Sequence, residues 1–207
     1  MQTPARKGLA VADRSSHLRL WLTAGLGLAL DLAAKSLGWT LLGGLPPPDG
    51  TGREIVLIPG WLRLVASLNP GIVFGFNFSQ MLGVGPVAGR VLTVVLTLAT
   101  SALIFYVFAA SQPGQKWMHA WCGLILAGAL GNLYDRMMYE RVRDFIQITA
   151  HAEVGGLVLQ WPYVFNLADI YLVVGVVAVA LVYLSGRGPQ HAETRPPHAK
   201  DARHERP

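Results

Sequence analysis

A single cysteine, Cys122, stands in the whole chain, so an internal disulfide and a Cys-x-x-Cys site are both excluded. Charge is scarce too: 14% of the 207 residues are Asp, Glu, Lys or Arg, against about a quarter in ordinary soluble domains. The six histidines are scattered and no His-Glu-x-x-His occurs, which leaves a catalytic zinc unsupported. Gly-x-Ser-x-Gly is missing, and so are the Walker and Rossmann glycine patterns, which removes the usual serine-hydrolase elbow and nucleotide cradles. What is abundant is apolar surface. Hydrophobic residues make up 52% of the chain, too many for a soluble domain of this length.

A helix needs about 20 mostly apolar residues to cross the hydrocarbon of a bilayer. Four stretches qualify, at about 19–42, 88–110, 117–138 and 163–184. They predict an all-α membrane protein with four transmembrane helices in one unit, residues 19–184. Residues 1–18 form a cytoplasmic tail, and residues 185–207, rich in Pro, His and charge without apolar periodicity, form a disordered basic one. The first stretch has a basic leader like a cleavable signal sequence, but that leader is long and Asp31 interrupts the apolar run, so it is read as a retained helix.

The net charge of +5 reports topology and not nucleic acid binding, because the basic residues gather at the chain ends and lie on no patterned surface. Ten of them (Arg6, Lys7, Arg14, Arg19, Lys116, Arg187, Arg195, Lys200, Arg203, Arg206) fall on one side of the four spans. Six (Arg53, Arg63, Arg90, Arg136, Arg141, Arg143) fall on the other. The positive-inside rule then makes both termini cytoplasmic.

This topology sets the depth of each polar residue. Asp31 and Lys35 lie about 18 and 24 Å beyond Arg19 along an outward-running helix at 1.5 Å per residue. Asn132, Asp135 and Arg136 end the third span, which also runs outward, and Asn166 and Asp169 begin the fourth, which runs inward. All three groups converge near the outer surface. Ionisable groups persist in a membrane only when paired or functional, so a site is expected there.

Structural readings compete with functional ones for each pair. Asp31 and Lys35, at i and i+4 with the acid first, suit an intrahelical ion pair. Asn132 and Arg136 share a face, and Asp135 can neutralise Arg136 or another cation nearby; orienting work fits this trio better than direct chemistry. Asn166 and Asp169 share a face with no cation near them in sequence, and structure alone explains that pair least well.

The connector 43–87 is long and therefore expected to be functional. In it REIVLI and WLRLVASLN flank Pro59-Gly60 and predict two short strands about a turn, a small extracytoplasmic β-sheet between the first two helices. SLNPGIVFGF follows, with a turn at Asn69-Pro70-Gly71 and a close backbone approach at Gly75. In the connector 139–162, RVRDFIQI places Asp144 where the chain dips back toward the bilayer. A solvated loop aspartate is the plainer reading of Asp144 taken alone.

With metals, serine elbows and nucleotide loops set aside, carboxylates remain. Two carboxyl groups held close share a proton, so one can act as base on a water and the other as acid toward a carbonyl, which is peptide hydrolysis of the aspartic type. A proton-coupled transporter also uses membrane carboxylates, with Asp31, Lys35 and Asp169 as its relay. That reading expects polar residues spread through the depth and repeated halves. An inert scaffold would leave so many buried polar groups unexplained.

The set DLAAK, NPGIVFGF, GALGNLYDR, VRDF and FNLAD, in this order across the four spans, resembles the bacterial lipoprotein signal peptidases, or type II signal peptidases, over about residues 20–184. The resemblance implies a membrane aspartyl endopeptidase of the inner membrane that needs no metal or cofactor. It would cut prolipoproteins before a diacylglyceryl-modified cysteine, near the outer leaflet and in contact with membrane lipid, and would be blocked by globomycin. Matched by motif, Asp144 and Asp169 are the catalytic pair; Asn69, Gly71, Asn132, Arg136 and Asn166 line the site; Asp31 and Lys35 support it. Asp135, in the equally marked GNLYDR, is the rival for the position given to Asp144. Arg143 stands where the family has a small hydrophobic residue, and it is expected to depress the carboxyl beside it. The loop between the two aspartates is longer than expected and reads as a larger flap.

Overall fold

The computed structural model describes residues 9–44, 53–70, 81–154, 157–160 and 163–185. Gly71, Gly75 and the C-terminal tail from residue 186 lie outside them.

Helix α1, Arg14–Leu41, is started by Asp13, whose carboxylate accepts the Ser16 N–H at 2.7 Å and the hydroxyls of Ser15 and Ser16 at 2.7 and 2.6 Å. Those donors bring the Asp13 pKa down to about 2. The packed structure already includes Ala10, which is fully buried and donates its N–H to the Ser111 carbonyl at 2.9 Å. Gly43 and Gly44, at φ 86° and 89°, follow the end of the helix. Helix α2, Pro86–Ala110, opens with a proline at its first position. Helix α3, Lys116–Tyr139, ends at Glu140 with φ 62°. Helix α4 is Leu167–Leu184.

α3 is the centre of the bundle and packs on α1, α2 and α4. Leu20 and Ala24 of α1, Ile104 and Phe108 of α2, and Met118, Cys122, Ile125 and Leu126 of α3 form the inner core. The helix backbones approach closely where glycine permits: a Cβ on Gly128 would lie 2.5 Å from the Ala168 carbonyl oxygen of α4. Among the described residues three helices, α1, α2 and α4, are long and apolar enough to cross a membrane. α3 carries more polar residues, and the other helices shield it.

The expected strands form as β1, Glu54–Ile58, and β2, Leu62–Asn69, about a turn in which Gly60 has φ 74°. The sheet itself corrects the expectation of a hairpin confined to the first connector. The second connector supplies β3, Val142–Ile148, then a separate hairpin of β4, His151–Val154, and β5, Leu157–Gln160, and last β6, Val164–Phe165. β3 and β6 join the first two strands in the order β1-β2-β3-β6, antiparallel throughout. The reason lies in VRDFIQI: Val142, Arg143, Asp144 and Phe145 are all buried, so the segment needs neighbours on every side and becomes a central strand. The aspartate read as a loop residue thus sits on a strand, and the long loop after it holds the β4–β5 hairpin. A second apolar cluster, Trp39, Leu42 and Phe145 with Ile55, Leu64 and Ile146, seats the sheet on the C-terminal end of α1.

Candidate active site

The site is built around the first turn of α4. The Asn166 side chain accepts the Asp169 N–H at 3.1 Å, while the Asp169 carboxylate accepts the Asn166 N–H at 3.0 Å, a reciprocal capping box. Asp31 of α1 takes another of the unsatisfied N–H groups, that of Ala168, at 2.9 Å. The pairing of Asn166 with Asp169 therefore has a strong local structural cause, which corrects the view that structure explains it least well. The sequence carries the signal for it: an Asn three residues before an acid at the start of an apolar run.

The same capping residue reaches outward. Asn166 Nδ2 donates to Asp144 Oδ1 at 2.6 Å and to Asn132 Oδ1 at 3.1 Å. Asn132, about two turns before the end of α3, donates its own Nδ2 to Asp169 Oδ1 at 2.8 Å. Its amide is turned that way because Lys35 Nζ donates to Asn132 Oδ1 at 2.9 Å. On the far side of Asp144, Asn69 Nδ2 donates to Oδ2 at 2.9 Å. The β2–β3 register, which pairs Ser67 with Asp144 and Asn69 with Val142, delivers that amide.

Asp144 and Asp169 are thus held by amides and backbone N–H groups and are joined through Asn132 and Asn166. Asp144 is 1% exposed, and burial first, then the nearby Asp169 charge, pushes its pKa up to about 7. This overturns the expectation that Arg143 depresses it, because the Arg143 guanidinium points elsewhere. Its Nη2 and Nε lie 2.7 and 3.2 Å from Asp135 Oδ1, its backbone N–H donates to Asp135 Oδ2 at 2.9 Å, and its guanidinium covers the Tyr139 ring at 4.3 Å.

Asp135 accordingly meets cations. Besides Arg143, Lys35 Nζ lies 3.5 Å from its Oδ2. Lys35 also forms the expected pair with Asp31 at 2.9 Å, all three side chains fully buried. Gly131 makes room for this cluster, since a Cβ there would collide with the Asp31 carboxylate. Arg136, one turn beyond Asn132, donates to the Asn132 carbonyl at 3.1 Å and lies in electrostatic reach of Asp169, Asp144 and Asp135. Every sequence-derived site residue that the structure describes is therefore brought into one cluster at one end of the bundle. The Arg143–Asp135 clamp is the part that sequence reasoning misses, because nothing local in NLYDRMMYERVRD says that the strand folds back onto the helix. Among the described residues no three His, Cys, Asp or Glu side chains are grouped as metal ligands.

Comparison with known proteins places the bundle and sheet in one family. The sequence profile of the family described as signal peptidase (SPase) II matches residues 23–185, nearly all of the bundle and sheet. The chain belongs to the signal peptidase II family. The lipoprotein signal peptidase of Rhodopseudomonas palustris (strain TIE-1) is 36% identical over 165 residues, covering 80% of this chain and 91% of that protein. That of Clostridium novyi (strain NT) is 39% identical over 134 residues, 65% of this chain and 80% of that protein. A solved bacterial membrane enzyme superposes with a TM-score of 0.58 at 21% identity, over 86% of this chain and 93% of that one, and a second with 0.56 at 23% identity, over 82% and 92%. At those identities the superpositions speak for the fold. As a member of this family the chain is a membrane protein and a peptidase, and the proton-coupled transporter reading has no support.

Proposed function

We propose that this protein is an aspartic-type endopeptidase of the inner membrane, with Asp144 and Asp169 as its catalytic pair. It removes the signal peptide from prolipoproteins by cutting before the diacylglyceryl-modified cysteine. The observation that carries the proposal is the company each acid keeps: these two carboxyls, delivered by a strand and a helix, are linked through neutral amides, whereas Asp31 and Asp135 are neutralised by Lys35 and Arg143. In the cluster four carboxylates face three cations, Lys35, Arg136 and Arg143, and one proton on the catalytic pair restores balance.

The proton belongs to the pair and rests on Asp144, whose pKa near 7 keeps it protonated up to neutrality. Asp169 takes a proton from a water as its oxygen attacks the scissile carbonyl carbon, and Asp144 gives its proton to the carbonyl oxygen. The tetrahedral adduct then collapses: the C–N bond breaks, Asp169 passes its proton to the leaving amine, and the hydroxyl proton returns to Asp144. Asn132 and Asn166 hold both acids at their working distance, and Asn69 and Arg136 are placed to bind substrate backbone. No metal or cofactor is needed for these steps.

In the bilayer α3, with 24 residues and about 36 Å of rise, spans as the fourth helix. Both termini are cytoplasmic, which puts the site at the outer leaflet, where the substrate's lipid can stay in the bilayer. The test uses purified protein and a diacylglyceryl-modified precursor. Native protein is expected to cut it before the cysteine and be inhibited by globomycin, and Asp169→Asn to leave it intact. Native protein that cuts nothing, or a fully active Asp169→Asn, would contradict the proposal.

A further inference from the structure

A cavity of about 370 Å³, within the size range of ligand sites, lies between the outer halves of α2 and α3. Pro70, Thr93, Val94, Arg136 and Met137 line it, and Arg90 and Glu140 stand at its rim. It adjoins the aspartates, since Arg136 belongs to both and Pro70 follows the Asn69 that holds Asp144. Arg90 Nη1 meets Glu140 Oε1 at 2.6 Å, joining the start of α2 to the end of α3.

Three features of this region do not follow from stability. Glu140 holds the left-handed conformation, φ 62° and ψ −8°, at the end of α3, a position that favours Gly or Asn and costs a glutamate energy. The pair is exposed, 42% and 73% for the two side chains, where ion pairs contribute little. α2 is also packed unevenly. Its inner end is locked into the core by Ile104 and Phe108, whereas its outer half leaves the cavity. Between them Thr93, Thr97 and Ser101 each return their hydroxyl to the carbonyl four residues earlier, at 2.9, 2.9 and 2.8 Å, a pattern that eases helix bending.

We propose that Arg90 and Glu140 form a latch over this cavity, and that its opening lets the outer half of α2 swing from α3 so that substrate reaches Arg136 and the two aspartates sideways from the bilayer. The substrate's identity rests on the peptidase reading above; the motion does not. A weak pair suits a latch that must open in every cycle, and the strained glutamate places the acid where a glycine would have left the groove untied.

The test reads opening without needing activity. A Thr93→Cys variant places a thiol in the cavity, while the native Cys122 is fully buried. On that background, Arg90→Ala and Glu140→Gly, the latter keeping the left-handed turn, are expected to speed maleimide alkylation about two- to fivefold, the factor an exposed ion pair supports. Arg90→Glu/Glu140→Arg should restore the slow rate. Unchanged alkylation in both single variants would overturn the latch. In a second arm, Arg90→Cys/Glu140→Cys is bridged by a releasable bis-methanethiosulfonate. Cleavage of lipidated precursor should stop and return on reduction, and a bridged protein that cuts at the unbridged rate would equally overturn it. Failure of native protein to cut would instead count against the peptidase reading, and the alkylation rates would still decide the latch.

Discussion

Asp135 and Asp144 stand nine residues apart, are both buried, and are both candidates by motif, yet the fold treats them in opposite ways. Asp135 receives a guanidinium, an ammonium and a backbone N–H. Asp144 receives two side-chain amides and the nearby charge of Asp169. The first environment ties its carboxyl into a buried ion-pair cluster, and the second leaves a carboxyl able to take and give a proton near neutrality. On the proposed assignment, a buried acid is marked for structure or for chemistry by what it is paired with, more than by its depth or its motif.

Substitutions can separate the two regions, and the largest effect falls on activity. Asp144→Asn and Asp169→Asn should each lower single-turnover cleavage by about 10²–10⁴-fold, the range for loss of a general acid or base, with thermal unfolding little changed. Asp135→Asn should act the other way. It strands Arg143 and half of Lys35 in a dry interior and should cost about 3–5 kcal/mol of stability in reversible unfolding, most of it recovered in Asp135→Asn/Arg143→Leu.

The pH dependence of stability sharpens the same contrast. Folded Asp144 keeps its proton up to about 7, whereas the unfolded chain loses it at the ordinary value of 3.8, so the native state binds more protons between those values. Raising the pH through that window should therefore lower stability, with a limiting slope of about 1.4 kcal/mol per pH unit from this group, and Asp144→Asn should remove that slope. Gly131→Ala should cost about 1–3 kcal/mol, because its methyl group drives into the Asp31 carboxylate beside Lys35. Smallest of all, Arg63→Ala on the exposed sheet face, which breaks the 2.6 Å pair with Glu54, should change stability by less than about 1 kcal/mol.

Much of this architecture is legible in the amino-acid sequence. The apolar runs locate the helices to within a few residues, and the convergence of DLAAK, GALGNLYDR and FNLAD on one depth foretells that three helices share a polar cluster. Pro59-Gly60 announces the first hairpin because turn chemistry is local. The rest depends on non-local pairing. VRDFIQI reads as a dipping loop until β2 and β6 are seen on its two sides. Arg143 reads as a neighbour of Asp144, but alternation along a strand sends adjacent side chains to opposite faces, and its charge goes to Asp135. Asn166 is legible twice over, as a helix cap and as a site residue, and its role in the site hides its role as a cap.

The most direct measurement sets Asp135→Asn/Arg143→Leu beside Asp144→Asn in one single-turnover assay on a diacylglyceryl-modified precursor, each protein first shown to be folded. The expected result is cleavage near the native rate by the double variant and none by Asp144→Asn. Cleavage by Asp144→Asn together with loss of activity in the double variant would contradict the assignment and move the chemistry to Asp135.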